Sequence, residues 1–243
     1  MIRNAKDIAA LGTIMGLWAH PDDETWSSAG IMATAATQGQ HIAVLSATNG
    51  DAGQTADEAQ WAAASLRDIR QSELRHALAA VEVTDVIFLD YEDDKLGEVD
   101  EGEVLHIIER HVKAVNPDTI LTFEPSGITG HTDHKKISQW AQEIAKKSDK
   151  DIAVYGAVTT RETYELVGKK ADEAFNVFFA IDEPNLYEQG DLAISYQLPE
   201  DVQAKKRAAF KAHASQTHAL MKHPIGRQLI DRAVQKESFI RLI

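Results

Sequence analysis

The chain has 243 residues, of which 44% are hydrophobic and 26% charged, and these values are ordinary for one globular domain spanning residues 1–243. A net charge of −13 disfavours nucleic acid and anionic membrane surfaces as partners, because phosphate contacts need Lys and Arg. The absence of cysteine excludes disulfides, thiolate zinc sites and cysteine nucleophiles, so any metal must be held by His, Asp and Glu.

Apolar, β-prone segments alternate along the chain with segments of helical periodicity. The predicted strands are Gly12–Ala19, His41–Ala47, Thr84–Leu89, Asp118–Phe123, Ile152–Val158 and Glu173–Ile181. The predicted helices are Trp26–Gln38, Ala59–Ala80, Glu103–Val115, Thr132–Lys147, Pro199–His213 and a segment from Arg227 to the end. This alternation predicts a three-layer, Rossmann-like α/β fold, with a mostly parallel sheet and helices on both faces.

A first polar cluster, AHPDDE at residues 19–24, directly follows the first predicted strand. Three acids beside a histidine concentrate negative charge at a strand-to-helix turn, which is costly unless a cation lies there. Zinc accepts imidazole nitrogen and carboxylate oxygen, which makes a metal the natural counter-charge. The alternative is an acidic helix cap stabilised by the helix dipole. Pro21 restricts the turn beside His20, and this favours the metal interpretation.

A second polar cluster, GITGHTDH at residues 127–134, directly follows the fourth predicted strand. If a helix starts here, His131 and His134 lie on one face, and Asp133 would orient either imidazole. A polar helix start with solvated histidines is the alternative.

The two clusters converge if the first strand is central, because ligands bind outside the carboxyl ends of parallel strands. His20, Asp23 and His134 would then supply three zinc ligands and leave a fourth position open for water, as in catalytic zinc sites.

Together, AHPDDE and GHTDH resemble the LmbE-like, or PIG-L, family of zinc-dependent N-deacetylases. That family includes the deacetylases of N-acetylglucosaminyl-phosphatidylinositol and of mycothiol and bacillithiol precursors. The resemblance covers most of the chain, although Thr132 replaces the proline that is common in the second motif, and Thr129 stands where some members have tyrosine. The resemblance implies that His20, Asp23 and His134 bind zinc and that Asp22 is the general base. It also implies that His131 is the proton donor and oxyanion stabiliser, and that Asp133 orients His131.

Two weaker motifs suggest how a sugar would be held. Arg70 lies in a segment that resembles the family's R-x-x-E-L helix, and Asp93 in one that resembles Y-x-D-G-x-L, with Asp94 in place of glycine. The resemblance implies that Arg70 and Asp93 contact sugar hydroxyls. The alternative for Arg70 is a surface ion pair on a helix, and the alternative for Asp93 is a solvated acidic loop. His213 lies in a segment resembling a C-terminal family signature and either reaches the site or is structural.

The resemblance implies a hydrolase that uses Zn²⁺ to remove the N-acetyl group from a small amino sugar or its glycoside. One alternative is another zinc amidase or a phosphoesterase with a non-sugar substrate, since such a site determines water activation better than the leaving group. The other is a non-catalytic metal- or sugar-binding module, which Asp22 and His131 argue against because a binder needs neither.

The sequence also predicts where the protein resides. It contains no apolar run of about 18 residues, which predicts no membrane span, and its start lacks a signal-peptide pattern. We therefore expect a cytoplasmic protein, and the sequence leaves open whether it forms a homo-oligomer.

Overall fold

The computed structural model describes residues 1–53, 55, 61 and 66–243. Its strands are β1 Ile14–Trp18, β2 Ile42–Thr48, β3 Asp85–Tyr91, β4 Thr119–Phe123, β5 Ala153–Ala157, β6 Thr159–Thr160, β7 Leu186–Tyr187, β8 Ile194–Gln197 and β9 Lys236–Arg241. Its helices are α1 Ala5–Ile8, α2 Asp23–Ser27, α3 Ala29–Thr37, α4 Leu66–Ala80, α5 Glu101–Val115, α6 Thr132–Lys147, α7 Arg161–Thr163, α8 Lys169–Phe175, α9 Glu200–Ala212, α10 Ala214–Lys222 and α11 Pro224–Ala233. Tyr164–Gly168 is π-helical.

The main sheet has seven strands in the order β3-β2-β1-β4-β5-β9-β8. The first five strands of this order are parallel, while β9 runs antiparallel to both β5 and β8. The chain runs outward from β1 to β3 and then crosses back to β4 on the other side of β1. The strand order therefore reverses between β1 and β4, where α/β sheets bind their ligands.

The apolar strands lie between two helical layers. Every residue of β1, β2 and β4 is buried, as expected for parallel strands covered on both faces. Helices α3, α4 and α9 pack together, whereas α5 packs on α6. This arrangement confirms the predicted α/β fold with a mostly parallel sheet.

Two predicted elements are wrong. Glu173–Ile181, predicted as a strand, is the end of α8 followed by a turn, because Asn176 adopts a left-handed φ of 52° and ends the helix. The helix predicted from Arg227 to the end begins at Pro224 and stops at Ala233, and the chain then returns to the sheet as β9. Residues of β9 alternate in burial, but Glu237 is one of the buried residues, so the sequence itself shows no alternation of apolar and polar residues.

Two other predicted helices differ in their bounds. Trp26–Gln38 is two helices, α2 and α3, which are separated at Ser28. Of the helix predicted over Ala59–Ala80, residues 59, 60 and 62–65 lie outside the described residues, and α4 begins at Leu66. Within the part of the chain that is described, no helix combines the length and apolar character that crossing a membrane requires.

Candidate functional site

The two polar clusters meet where the strand order reverses. β1 and β4 are neighbours, with Ile14 opposite Thr119, and each cluster follows the carboxyl end of one of them. AHPDDE leads into α2, and GITGHTDH leads into α6. The parallel pairing of β1 with β4 therefore brings together residues that are distant in sequence.

Three nearly buried side chains place their donor atoms around one point. His20 Nδ1 lies 3.1 Å from His134 Nε2 and 3.5 Å from one carboxylate oxygen of Asp23. The other oxygen of Asp23 lies 3.4 Å from His134 Nε2. Ligands about 2.0–2.1 Å from a tetrahedral zinc ion are about 3.3–3.4 Å from one another. Each of these three distances is close to the spacing of ligands on such an ion, with one Asp23 oxygen facing each imidazole.

Further hydrogen bonds determine which imidazole nitrogens face this point. His134 Nδ1 lies 2.9 Å from the Gly127 carbonyl oxygen, to which it donates. His20 Nε2 lies 2.8 Å from Asp93 and 3.3 Å from Asp133, both through carboxylate oxygens. Metal-binding histidines are usually oriented by such an acceptor on the other ring nitrogen.

The electrostatics of the group also fit a cation. Burial lowers the pKa of His134 to about 4, so its Nε2 is unprotonated at neutral pH. Burial opposes a charge on His20, but hydrogen bonds with Asp133, Asp23 and Asp93 prevail and raise its pKa well above the ordinary value. A divalent cation would replace the His20 proton that otherwise separates the two nitrogens, and it would also neutralise Asp23. The nitrogen and carboxylate donors present therefore fit zinc.

Asp22 lies beside these three residues in a strained turn. Its side chain is 16% exposed and lies 3.3 Å from the Arg70 guanidinium, while burial raises its pKa to about 6 despite that positive charge. The Asp22 backbone has a φ of 115°, which costs energy for any residue except glycine. Its N–H donates to Glu24, and the Glu24 carboxylate in turn lies 3.0 Å from His213 Nε2. His213 is fully buried in this contact, so it holds the Glu24 carboxylate that accepts from the Asp22 N–H.

His131 lies on another side of the same point. Its ring centroid is 4.7 Å from that of His20 and 5.1 Å from that of His134. The backbone N–H of Asp133 donates to His131 Nδ1 over 3.1 Å, which leaves Nε2 as the protonated nitrogen. His131 can therefore donate a hydrogen bond from Nε2.

The Asp133 carboxylate does not orient His131 in the way that we expected. It is fully buried and accepts from the backbone N–H groups of Asp94 at 2.8 Å and Leu96 at 3.1 Å, in addition to its contact with His20. Because Asp133 lies in the first turn of α6, its carboxylate faces the loop after β3. The hydrogen bond between Asp133 and His131 is made by the backbone N–H of Asp133.

Arg70 and Asp93 reach the site, but both contact protein groups. Arg70 is 4% exposed and donates to the carbonyl oxygens of Gly50 at 2.8 Å and Pro21 at 2.6 Å. Its guanidinium also lies 3.8 Å from Asp93, whose other oxygen contacts His20. In this structure the two residues support His20 and Asp22, and the hydroxyl contacts inferred from sequence stay a prediction.

A buried glutamate shapes the loop between β4 and α6. This residue is not among those predicted from the sequence. Glu124 directly follows β4 and accepts from the backbone N–H groups of Ser126 and Ile128, each at 2.9 Å. Ile128 has a φ of 62°, which is rare for a β-branched residue. The sequence signals this loop-shaping role only through an acid at the end of an apolar strand. That signal does not reveal which backbone N–H groups the acid accepts from.

The sequence matches a known protein family. Residues 15–145, more than half of the chain, match the family described as GlcNAc-PI de-N-acetylase, PIG-L. A curated relative, the 1D-myo-inositol 2-acetamido-2-deoxy-alpha-D-glucopyranoside deacetylase of Actinosynnema mirum, is 29% identical over 226 residues, covering 82% of this chain and 78% of its own.

Two solved structures share the fold. N,N'-diacetylchitobiose deacetylase from Pyrococcus horikoshii has a TM-score of 0.66 and 19% identity, covering 95% of this chain and 83% of its own. The 4-carboxy-2-hydroxymuconate hydratase from Pseudomonas putida has a TM-score of 0.64 and 19% identity, covering 96% of both chains. Since one is a deacetylase and the other a hydratase, the fold alone does not determine the reaction.

Proposed function

The chain belongs to the PIG-L family of GlcNAc-PI de-N-acetylases, and we propose from this membership that it is a zinc-dependent hydrolase acting on amide bonds. It removes the N-acetyl group from a small amino sugar or its glycoside, as the names of its curated relatives describe for those proteins. We further propose that residues 1–243 act as one catalytic domain. The observation that carries the proposal is the convergence of His20, Asp23 and His134 beside Asp22 and His131.

His20, Asp23 and His134 would hold the metal. When bound, zinc supplies a Lewis acid that makes water more acidic and polarises a carbonyl group. The hydrogen bonds from His134 to Gly127 and from His20 to Asp93 keep the binding nitrogens directed at the ion.

Asp22 carries the proton transfers, and His131 stabilises the negative charge. The Asp22 carboxylate takes a proton from water as the water oxygen forms a bond to the acetyl carbon. His131 donates a hydrogen bond from Nε2–H to the oxygen that becomes negative, and the proton held by Asp22 then passes to the amine nitrogen as the C–N bond breaks. The products are acetate and the free amino sugar.

A non-sugar amide is the second candidate substrate, and one observation favours it. Arg70 and Asp93, which were expected to bind hydroxyls, are already engaged by Gly50, Pro21 and His20. A site that reads hydroxyls directly rejects analogues that lack them, because its polar groups would be left unpaired. Substrate comparison therefore separates the two candidates.

The test measures amine release by the zinc-loaded protein from methyl N-acetylglucosaminide and from N-acetylethanolamine, which has no ring. The sugar hypothesis predicts a kcat/KM at least about 100-fold higher for the glycoside, because the ring-free amide would leave polar groups of the site unpaired. Equal values for both compounds would leave a general zinc amidase. The Asp22→Asn variant serves as the background control for both substrates.

A further inference from the structure

An exposed aromatic ring stands beside His131. Among the described residues, three large apolar side chains are more than half exposed, namely Met1, Leu166 and Phe179. The Phe179 ring, 57% exposed, lies with its centroid 5.7 Å from that of His131, edge to face at 83°. Single exposed apolar residues are common on protein surfaces, so the position of this ring matters more than its exposure.

The turn that carries Phe179 is docked on the loop that carries His131. Ala180 N–H donates to the Thr129 carbonyl oxygen over 3.3 Å. Gly130 has a φ of 82°, and the Ala180 carbonyl group occupies the space that a side chain at Gly130 would need. A larger residue at position 130 would push the turn away from His131. The glycine thus permits the close approach of the two loops.

The other side of the turn is anchored in the protein. Phe178 is only 7% exposed, its ring lies 5.8 Å from that of Tyr164, and its N–H donates to the Asp172 side chain over 2.9 Å. Phe178 therefore points inward while its neighbour Phe179 points outward. With both flanks held, Phe179 is presented at a defined place next to His131.

The site needs a means of recognising the sugar. Arg70 and Asp93 are committed to protein groups, so the two residues expected to bind hydroxyls do not by themselves account for recognition. Small-molecule sites are lined mostly by apolar and aromatic side chains with few polar groups. One face of a pyranose ring carries mainly C–H groups, and such a face packs against an aromatic ring, which offers a large apolar surface with little rotamer entropy to lose.

We propose that Phe179 determines substrate specificity by packing against the C–H face of the pyranose ring whose acetamido group reaches His131. This inference rests on the proposed deacetylase function. It assigns Phe179 to sugar binding and gives it no part in proton transfer, so its loss weakens the binding of a ring-bearing substrate and leaves the chemistry of a ring-free amide intact.

The test compares Phe179→Ala, Phe179→Leu and Phe179→Trp in the zinc-loaded protein, using methyl N-acetylglucosaminide and N-acetylethanolamine. Phe179→Ala should raise KM for the glycoside about tenfold with little change in kcat, while kcat/KM for the ring-free amide stays within twofold. Phe179→Trp should keep the wild-type KM. Phe179→Leu, which retains apolar volume but loses the flat ring, should fall between them.

Leu166→Ala is the matched control, since Leu166 is apolar and 58% exposed and lies in the π-helical segment Tyr164–Gly168, outside the turn that carries Phe179. It should leave both substrates unaffected. Phe179→Ala protein with an unchanged KM for the glycoside overturns the inference, and so does an equal loss on both substrates, which would mean that the ring only supports His131. If wild-type protein releases no amine from the glycoside, the proposed function falls, and the inference falls with it.

Discussion

Replacing Asp93 by asparagine tests whether this residue orients His20 or contacts the substrate. The change keeps the size of the side chain but removes the negative charge that lies 2.8 Å from His20 Nε2. Loss of such an orienting carboxylate typically costs 10- to 100-fold in metal affinity. Asp133 also contacts His20 Nε2, at 3.3 Å, and it compensates in part. We therefore expect the lower end of that range, about tenfold or about 1.4 kcal/mol.

The assay is competition for zinc between the protein and a chelator of known affinity. Glu92→Gln is the matched control, because Glu92 is exposed, lies next to Asp93 in sequence and loses the same charge. The control should keep the wild-type dissociation constant. If Asp93→Asn also keeps it and raises only KM, Asp93 contacts the substrate and its role in orienting His20 is refuted.

Three further predictions concern the general base Asp22, the loop between β4 and α6, and the buried core. Asp22→Asn should keep zinc and lose about 10²- to 10⁴-fold in kcat, because asparagine cannot accept the proton. Gly127→Ala should lose zinc affinity in the same competition assay, since its new Cβ would lie 2.7 Å from the His134 Cβ on a backbone with φ 76°. Lys206→Met should lower the free energy of unfolding by about 3 kcal/mol in urea, because it leaves the buried Glu237 carboxylate without the ammonium group now 2.6 Å away.

Matched variants control for general damage in these experiments. Gly39→Ala carries the same backbone strain, with φ 78°, but has no atom within 4 Å of the added Cβ, so it should leave zinc affinity unchanged. Lys205→Met removes a more exposed ion pair and should cost less than about 1 kcal/mol. Near-normal kcat in Asp22→Asn, equal zinc loss in both glycine variants, or equal stability losses in both lysine variants would each contradict the reasoning.

The central strands could be predicted because their burial on both faces leaves a continuous apolar run in the sequence. The inference from an apolar run to a buried strand failed at residues 176–179, Asn-Val-Phe-Phe. There one phenylalanine is buried and the next is exposed in a turn. Apolar character alone does not separate a strand from an anchored turn. It also failed at β9, whose alternating burial becomes evident only once the chain pairs with β5 and β8.

The place of the candidate site could be predicted because polar residues at the ends of two neighbouring strands must meet. The finer contacts could not be predicted, since they depend on loops that are distant in sequence. Arg70 comes from α4 and meets the carbonyl group of Pro21, and His213 comes from the end of α9 and meets Glu24. No local pattern specifies such partners, which are determined by how the helices pack on the sheet.

The central claim is that His20, Asp23 and His134 hold one zinc ion that activity requires, and metal analysis of purified protein tests it most directly. Zinc content and amine release are measured together in the wild-type protein and in His20→Ala, after dialysis against a chelator and reloading with one equivalent of zinc. We predict one zinc per chain in the wild type, and loss of both metal and activity in the variant. Full zinc occupancy in His20→Ala would contradict the assignment of the ligands.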